Sequence, residues 1–173
     1  LVFSMTFSSV SADDKPVVSA ESAVVIDAMT GRVIYAKNEN EKRPMASTTK
    51  IMTTLLCLES GDLDEQFTVD SEAIKVEGSS MGLCEGDVVT KRILCYGMLL
   101  PSGNDAANAT AVKLAGDISS FSEMMNNRAK EIGMKNTNFE NVTGLDDTTE
   151  NHKTSAHDIA IMSKELIKHD VIK

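Results

Sequence analysis

Near the start of the chain, two short apolar runs flank a turn. Residues 23–27 read Ala-Val-Val-Ile-Asp and residues 32–37 read Arg-Val-Ile-Tyr-Ala-Lys, with Gly31 between them. A glycine at this point supplies the positive φ that tight hairpin turns need. The pattern predicts a β-hairpin, followed by a polar loop over residues 38–43 and by Pro44, which stiffens the approach to the next element.

A helical pattern begins at Ser47. The apolar residues Ile51, Leu55 and Leu58 follow the i, i+4, i+7 spacing of one helix face, and Met52 widens that face. A helix that is apolar on nearly all sides belongs in the middle of a fold. We therefore predict that this helix is central and buried.

Four later stretches repeat the helical period and carry the residues that begin or end helices. Thr90 is placed as an N-cap, Gly116 as a C-terminal stop, and Ser120 with Glu123 as a capping box. We predict helices over residues 91–100, 105–116 and 120–133, and a last helix that opens at residues 155–158. Residues 67–69 and 74–76 are predicted to be short strands or irregular segments.

The bulk composition is that of one soluble globular domain with a real core. The chain has 173 residues, of which 42% are hydrophobic and 25% charged. Its net charge of −9 argues against nucleic acid as a partner. No stretch reaches the roughly 18 consecutive apolar residues that a transmembrane helix needs.

The cysteines and histidines do not form a recognisable ligand set. Three cysteines are present, without a C-x-x-C motif, and the three histidines do not group with them at ligand spacing. We interpret Cys57, Cys84 and Cys95 as small buried hydrophobic residues. We predict no metal and no cofactor.

The first residues resemble the end of a secretory signal. Residues 1–12 are mildly apolar and close on Val10-Ser11-Ala12, a small-x-small pattern before the polar Asp13. We interpret them as a remnant of a signal peptide, and a disordered or strand-like arm is the alternative. The first interpretation places the mature protein, beginning near Asp13, outside the cytoplasmic membrane as a secreted or envelope-associated protein.

Candidate chemistry lies at the start of the central helix. Ser47 and Lys50 are three residues apart, almost one helical turn, so the hydroxyl and the amine fall on the same face. The unpaired backbone N–H groups at a helix start favour negative charge, and a lysine desolvated by apolar neighbours can act as a base. The spacing therefore offers a nucleophile and a general base, although S-x-x-K also occurs by chance.

A second candidate lies in the break between two predicted helices. Ser102-Gly103-Asn104 follows Pro101 in an interhelical loop, where polar side chains can reach a cleft. A serine hydroxyl can pass a proton between a base and a leaving group, and an asparagine can hold an amide through its donor and its acceptor. Alone, this tripeptide is an ordinary turn sequence.

Together the two motifs resemble the ordered signature of the penicillin-interacting serine enzymes. The surrounding sequence is similar to that of the low-molecular-mass D-alanyl-D-alanine carboxypeptidases, serine peptidases of family S11. The similarity runs from about Ser22 to Met162. Its matching blocks are residues 44–53, 80–83, 99–107, 141–145 and 152–160.

The resemblance implies an α/β fold of the serine β-lactamase and transpeptidase type, in three layers. Here it would be incomplete, with the helical region and the first two strands of the antiparallel sheet. Ser47 would be the nucleophile, Lys50 the general base, Ser102 the proton shuttle and Asn104 a substrate-binding residue. The partners would be a peptidoglycan stem peptide ending in D-Ala-D-Ala and β-lactam antibiotics that acylate Ser47.

One signature of the family is not found in this sequence. A K-T-G motif is expected well after the block at residues 152–160, and Lys153-Thr154-Ser155 is not a substitute because it opens a helix. We therefore expect residues 13–173 to be a partial catalytic domain without the C-terminal strands. Little or no carboxypeptidase activity is expected of it alone, and a further C-terminal segment could attach the parent protein to the membrane.

Two alternatives stay open on the sequence alone. A β-lactamase-like hydrolase would share Ser47 and Lys50, but it would be expected to carry S-D-N in place of S-G-N. A non-catalytic protein of the same fold could bind wall peptides without turnover. The presence of Ser47, Lys50, Ser102 and Asn104 favours the enzyme.

Overall fold

A computed structural model describes residues 16–145 and 150–172. The predicted signal-peptide segment, residues 1–12, lies outside the described residues. The elements in chain order are β1 (Ala23–Ile26), β2 (Val33–Lys37), β3 (Arg43–Pro44), α1 (Thr49–Glu59), β4 (Gln66–Thr68), β5 (Val88–Thr90), α2 (Lys91–Leu99), α3 (Asn104–Ala115), α4 (Ile118–Glu131), β6 (Lys153–Thr154) and α5 (Ala156–Leu166). Two short 3₁₀ turns, Ala46–Thr48 and Asp170–Ile172, complete them.

The predicted hairpin is confirmed. β1 and β2 pair antiparallel, with a register shift between Val25 and Ile26. Gly31 has a φ of 77° in the connecting turn, in the left-handed region that a side chain disfavours. The Asp27 carboxylate closes the turn by accepting hydrogen bonds from the backbone N–H and the hydroxyl of Thr30. α5 packs against this hairpin.

The central helix is also confirmed. α1 contacts α2, α3, α4 and α5, and its Met52 and Leu55 side chains are fully buried. It begins at Thr49, however, two residues later than the pattern predicted. Ser47 instead lies in the 3₁₀ turn, because Ala46 adopts a positive φ of 45° and the Thr48 N–H bonds to Met45 O.

The helix caps follow the sequence at most ends. Thr90 and Ser155 accept backbone N–H hydrogen bonds as the N-caps of α2 and α5, and Gly116 ends α3 in the left-handed conformation. The capping box predicted at Ser120 is wrong. α4 begins earlier because the Asp117 carboxylate accepts from both the N–H and the hydroxyl of Ser120, so the serine is a donor and not the cap.

The remaining strands are short. β4 forms where a strand was one of two predictions, and it pairs with β5. β3 pairs with β6, and each has two residues, too few to leave a periodic pattern in the sequence. Residues 74–76 are irregular.

Five helices with short antiparallel strands agree with the predicted α/β class. Cys57 and Cys95 are buried as expected, but Cys84 is exposed, because it lies in the loop before β5 and not on a helix that packs in the core. Within the described ranges no helix is long and apolar enough to cross a membrane. The same residues contain no group of three or more His, Cys, Asp or Glu side chains arranged to hold a metal ion.

Candidate active site

Ser47 and Lys50 lie together at the start of α1. The Lys50 Nζ is 3.2 Å from the Ser47 Oγ, as their spacing predicted. Ser47 is exposed, whereas only 1% of Lys50 is accessible to solvent. An exposed hydroxyl is therefore hydrogen-bonded to a buried amine.

The buried amine has few polar neighbours. Lys50 donates a second hydrogen bond, of 2.8 Å, to the backbone oxygen of Thr143. Among the described residues, no carboxylate forms a salt bridge with it. Burial disfavours the charged form and lowers the pKa of Lys50 from 10.5 to about 8. A minor but significant fraction of the amine, about a tenth at pH 7, is thus neutral and able to accept a proton.

A single stretch of chain holds the first turns of α1. This facing segment comprises residues 138–145 and 150–154. Besides the Thr143 bond to Lys50, the Thr53 hydroxyl donates to Val142 O at 2.8 Å, and the Thr49 hydroxyl is 2.7 Å from His152 Nε2. Three polar residues in the first turns of the helix, Thr49, Lys50 and Thr53, are therefore bound to the same segment.

Gly144 marks the closest approach of the facing segment to Ser47. It has a φ of 90°, and a Cβ placed on it would lie 1.9 Å from Ala46 O and 2.9 Å from the Ser47 nitrogen. No side chain fits there without displacing the backbone. The glycine lets the two backbones touch beside the nucleophile.

The second motif lies at the start of α3. Ser102 has a positive φ of 59°, which is uncommon for a residue with a side chain, and Asn104 is the first residue of the helix. Asn104 is 3% exposed, and its side-chain amide donates to Glu77 O at 2.7 Å. The hydrogen bonds of Lys50 among the described residues go to Ser47 and Thr143 and not to Asn104.

A loop before β5 connects with this second motif. The Asp105 loop comprises residues 77–83, and it takes its name from the buried carboxylate that holds it. Asp105 accepts hydrogen bonds from the Ser80 hydroxyl and from the backbone N–H groups of Met81, Gly82 and Leu83. Burial opposes ionisation, but these hydrogen bonds prevail and hold the pKa of Asp105 below its usual range.

The facing segment and the second motif meet at Gly78. A Cβ on this residue would lie 2.8 Å from Asn104 Nδ2 and 3.8 Å from Leu145 Cδ2. Leu145 directly follows Gly144, which touches the backbone beside Ser47. The structure thus brings Ser47, Lys50 and Asn104 to one region, through neighbours that the two motifs share.

Several residues of this region were missed by reasoning from the sequence. Thr49, Asp105 and His152 form the contacts described above, yet no role was predicted for them. Their only signal is position, since all three lie in blocks that carry the family resemblance, Thr49 inside the S-x-x-K motif and Asp105 directly after S-G-N. Gly144 lies in a block that carried the family resemblance, but only the structure shows what the glycine touches.

Comparison with protein families identifies a relationship over nearly the whole chain. The family model for peptidase S11, described as D-alanyl-D-alanine carboxypeptidase, matches residues 9–173. The chain is 43% identical over 158 residues to D-alanyl-D-alanine carboxypeptidase DacF of Bacillus subtilis, covering 88% of this chain and 40% of the relative. It is 39% identical over 163 residues to DacD of Escherichia coli, covering 88% and 42%. The chain spans about two fifths of the length of these curated relatives.

Solved structures agree with the sequence comparison. The D-alanyl-D-alanine carboxypeptidase DacD of Francisella tularensis superposes with a TM-score of 0.82 at 36% identity, over 88% of this chain and 38% of that one. The D-alanyl-D-alanine carboxypeptidase of Mycobacterium tuberculosis gives 0.86 at 30% identity, over 92% and 61%. These matches confirm the predicted fold, and the matched family is the one that the motifs predicted. The chain belongs to the D-alanyl-D-alanine carboxypeptidase family, peptidase family S11.

Proposed function

We propose that these residues carry the acylation chemistry of a serine D-Ala-D-Ala carboxypeptidase. The observation that carries the proposal is the exposed Ser47 hydroxyl 3.2 Å from a buried Lys50 amine whose pKa burial lowers to about 8. The substrate would be a peptidoglycan stem peptide that ends in D-Ala-D-Ala. The family relationship supports this substrate class, since the matched relatives are named for it.

Acylation begins at Ser47. Its Oγ attacks the carbonyl carbon of the penultimate D-Ala while neutral Lys50 takes the hydroxyl proton. The resulting oxyanion is stabilised by the Ser47 backbone N–H at the helix start, a donor of the kind worth about 3 kcal/mol in a transition state. Ser102 passes a proton to the amine of the terminal D-Ala, which leaves, and water then hydrolyses the acyl-enzyme.

Asn104 positions the substrate in this proposal. Its Nδ2 already donates to Glu77 O, whereas its Oδ1 accepts no bond among the hydrogen bonds of the described residues. The side-chain oxygen is therefore the atom that would accept an N–H from the substrate amide. This role places the peptide between the Asp105 loop and the 3₁₀ turn Ala46–Thr48, which we call the Ser47 turn.

β-Lactam antibiotics would acylate the same serine. Their strained ring amide presents a carbonyl to Ser47, and the nitrogen that is released stays tethered to the acyl group. We also propose a location outside the cytoplasmic membrane, where peptidoglycan is found, with residues 1–12 as the end of a secretory signal. Membrane attachment of the parent protein is a separate proposal, tested by fractionating cells that express it.

The decisive experiment is acylation of the 173-residue chain by a fluorescent penicillin in excess, with peptide mapping by mass spectrometry. We expect one adduct on the peptide that contains Ser47, none in S47A, and an unchanged adduct in the control S119A, which alters an exposed serine on α4. An adduct on another residue, or an equal one in S47A, would overturn the proposal.

A second assay distinguishes the peptidase from the β-lactamase alternative. D-Ala release from diacetyl-Lys-D-Ala-D-Ala is compared with the hydrolysis of penicillin by the same chain. A ratio that favours the peptide supports the carboxypeptidase, and fast turnover of penicillin supports the alternative. D-Ala release at the rate typical of the family would refute the expectation that the K-T-G strand is required.

A further inference from the structure

His152 contacts Thr49, two residues after the nucleophile, and takes no part in the chemistry described so far. It is 2% exposed, and its ring packs edge-on against Phe139 with the ring centres 6.0 Å apart. Both of its nitrogens have hydrogen-bond partners. Nδ1 lies 3.0 Å from the backbone nitrogen of Glu140, and Nε2 lies 2.7 Å from the Thr49 hydroxyl.

These partners determine which nitrogen carries the proton. A backbone N–H can only donate, so Nδ1 must accept the hydrogen bond from Glu140 and cannot itself be protonated. The imidazole is therefore neutral, and its hydrogen is on Nε2. It follows that Nε2–H donates to the Thr49 hydroxyl oxygen.

The direction of the next hydrogen bond follows from this donation. A hydroxyl has one hydrogen, and the Thr49 oxygen already accepts from His152, so its hydrogen is free to point elsewhere. The remaining neighbour is Ala46 O, 2.8 Å away. The chain of donors thus runs from His152 through Thr49 to the carbonyl group directly before Ser47.

The turn that ends this chain needs support. Ala46 holds a φ of 45°, a conformation that costs about 1 kcal/mol or more for a residue with a side chain and persists only where its surroundings impose it. Its carbonyl oxygen accepts a hydrogen bond from the Thr49 hydroxyl and is closely approached by Gly144. A rotation of this peptide group would carry the Ser47 N–H and hydroxyl with it.

We propose that His152 is a positioning residue, which holds the Ser47 turn in its acylating geometry through Thr49 and the Ala46 carbonyl. The proposal rests on the proposed function of Ser47. Among the hydrogen bonds of the described residues, those of Ser47 Oγ and Lys50 Nζ involve neither His152 nor Thr49. Their effect is on the rate of bond formation and not on substrate binding, because a displaced nucleophile slows the chemical step.

The kinetic test compares two pairs of variants, each pair at one position. H152Q retains a side-chain N–H within reach of Thr49, whereas the shorter H152N reaches Glu140 alone. T49S keeps the hydroxyl, and T49V removes it. Penicillin acylation is separated into the binding constant and the acylation rate constant. We expect the acylation rate constant to fall about 10- to 100-fold in H152N and T49V, with unchanged binding. In H152Q and T49S it should stay within about threefold of that of the unsubstituted chain.

A second measurement keeps this proposal separate from the proposed function. Long-range ¹H–¹⁵N spectra of the unmodified chain report the His152 tautomer, and the backbone amide shift of Ser47 reports the turn. The proposal expects a proton on Nε2, and a Ser47 shift that moves in H152N and T49V but not in H152Q. If the unsubstituted chain is never acylated, the proposed function fails. These spectra would still decide whether the hydrogen-bond chain from His152 through Thr49 to the Ala46 carbonyl positions Ser47.

Two results would overturn the proposed positioning role of His152. One is a proton on Nδ1 in the parent chain. The other is a set of folded H152N and T49V proteins that acylate at the parent rate, or that lose no more than H152Q and T49S do.

Discussion

The two halves of the candidate site are held in different ways. The half with Ser47 and Lys50 is bound directly to the facing segment, through separate hydrogen bonds to Thr49, Lys50 and Thr53. The half with Ser102 and Asn104 contacts a loop whose shape depends on the single carboxylate of Asp105. Three residues of α1 bind the facing segment, whereas the side-chain hydrogen bonds that shape the loop beside the second half converge on one carboxylate. The two halves should therefore differ in their sensitivity to single mutations.

The largest effect is expected at the base itself. K50A removes the amine that is hydrogen-bonded to the Ser47 hydroxyl, and general-base catalysis contributes about 10²- to 10⁴-fold. We expect the penicillin acylation rate to fall by about 1,000-fold. Burying the amine is unfavourable, so its removal should cost little stability. We therefore expect only a small change in the free energy of unfolding beside the large loss of rate.

Another buried lysine provides the control. Lys91 is 5% exposed, donates to Gly61 O and forms a salt bridge with Glu65 near the end of α1. K91A should lose stability in urea and keep its acylation rate. If K91A slowed acylation as much as K50A, the loss would reflect general damage to α1 and not the missing base.

The next prediction concerns the contact between the facing segment and the Ser47 turn. G144A would place a Cβ 1.9 Å from Ala46 O, so one backbone must move. We expect acylation about 100-fold slower, together with a stability loss of about 3 kcal/mol. The matched control is G116A, which has a similar positive φ of 85° but no atom within 4 Å of the new Cβ. It should lose about 1 kcal/mol and acylate normally.

The second half is tested by changing its one carboxylate. In D105N an NH₂ group must face some of the N–H donors of Met81, Gly82 and Leu83, which releases the Asp105 loop and with it Asn104. We expect acylation about 10-fold slower and a stability loss of about 2 kcal/mol. D117N, at the exposed N-cap of α4, should change neither, since asparagine caps as well as aspartate. Equal effects in the two variants would contradict a specific role for Asp105.

The sequence was sufficient for the first half of the site because its information is local. A serine and a lysine three residues apart meet on any helix, and the apolar spacing of Ile51, Leu55 and Leu58 predicts that helix without reference to other segments. The 3₁₀ turn is missed because nothing in the local sequence marks the positive φ of Ala46, and the residue whose backbone approaches it, Gly144, is distant in sequence. The same holds for β3 and β6, whose pairing has no periodic signature.

The second half illustrates the opposite case. The motif Ser102-Gly103-Asn104 is recognised, but the atoms that orient it come from the Asp105 loop, for which the sequence offers only the block at residues 80–83 that carries the family resemblance. Hydrogen bonds to backbone N–H groups, such as those of Met81 and Leu83, leave no trace in residue types. A carboxylate beside a known motif could be suspected from the sequence, but its partners could not be identified.

The last prediction, a rate effect of similar size to that of D105N but with no mutation, concerns pH, and it tests whether the two halves are independent. Burial lowers the pKa of Lys50 to about 8, so the neutral amine is a minor form below that pH and the major form above it. The acylation rate should therefore rise with pH, by about 10-fold between pH 7 and pH 9, and then level off. Stopped-flow acylation with a chromogenic β-lactam, corrected for hydroxide-driven hydrolysis, measures this profile. If only the first half desolvates Lys50, D105N lowers the plateau and leaves the midpoint near 8, because none of the residues bound to Lys50 belongs to the Asp105 loop. A midpoint that moves towards 10.5 in D105N would show that the Asp105 loop also excludes water from the amine, and that the two halves act as one unit.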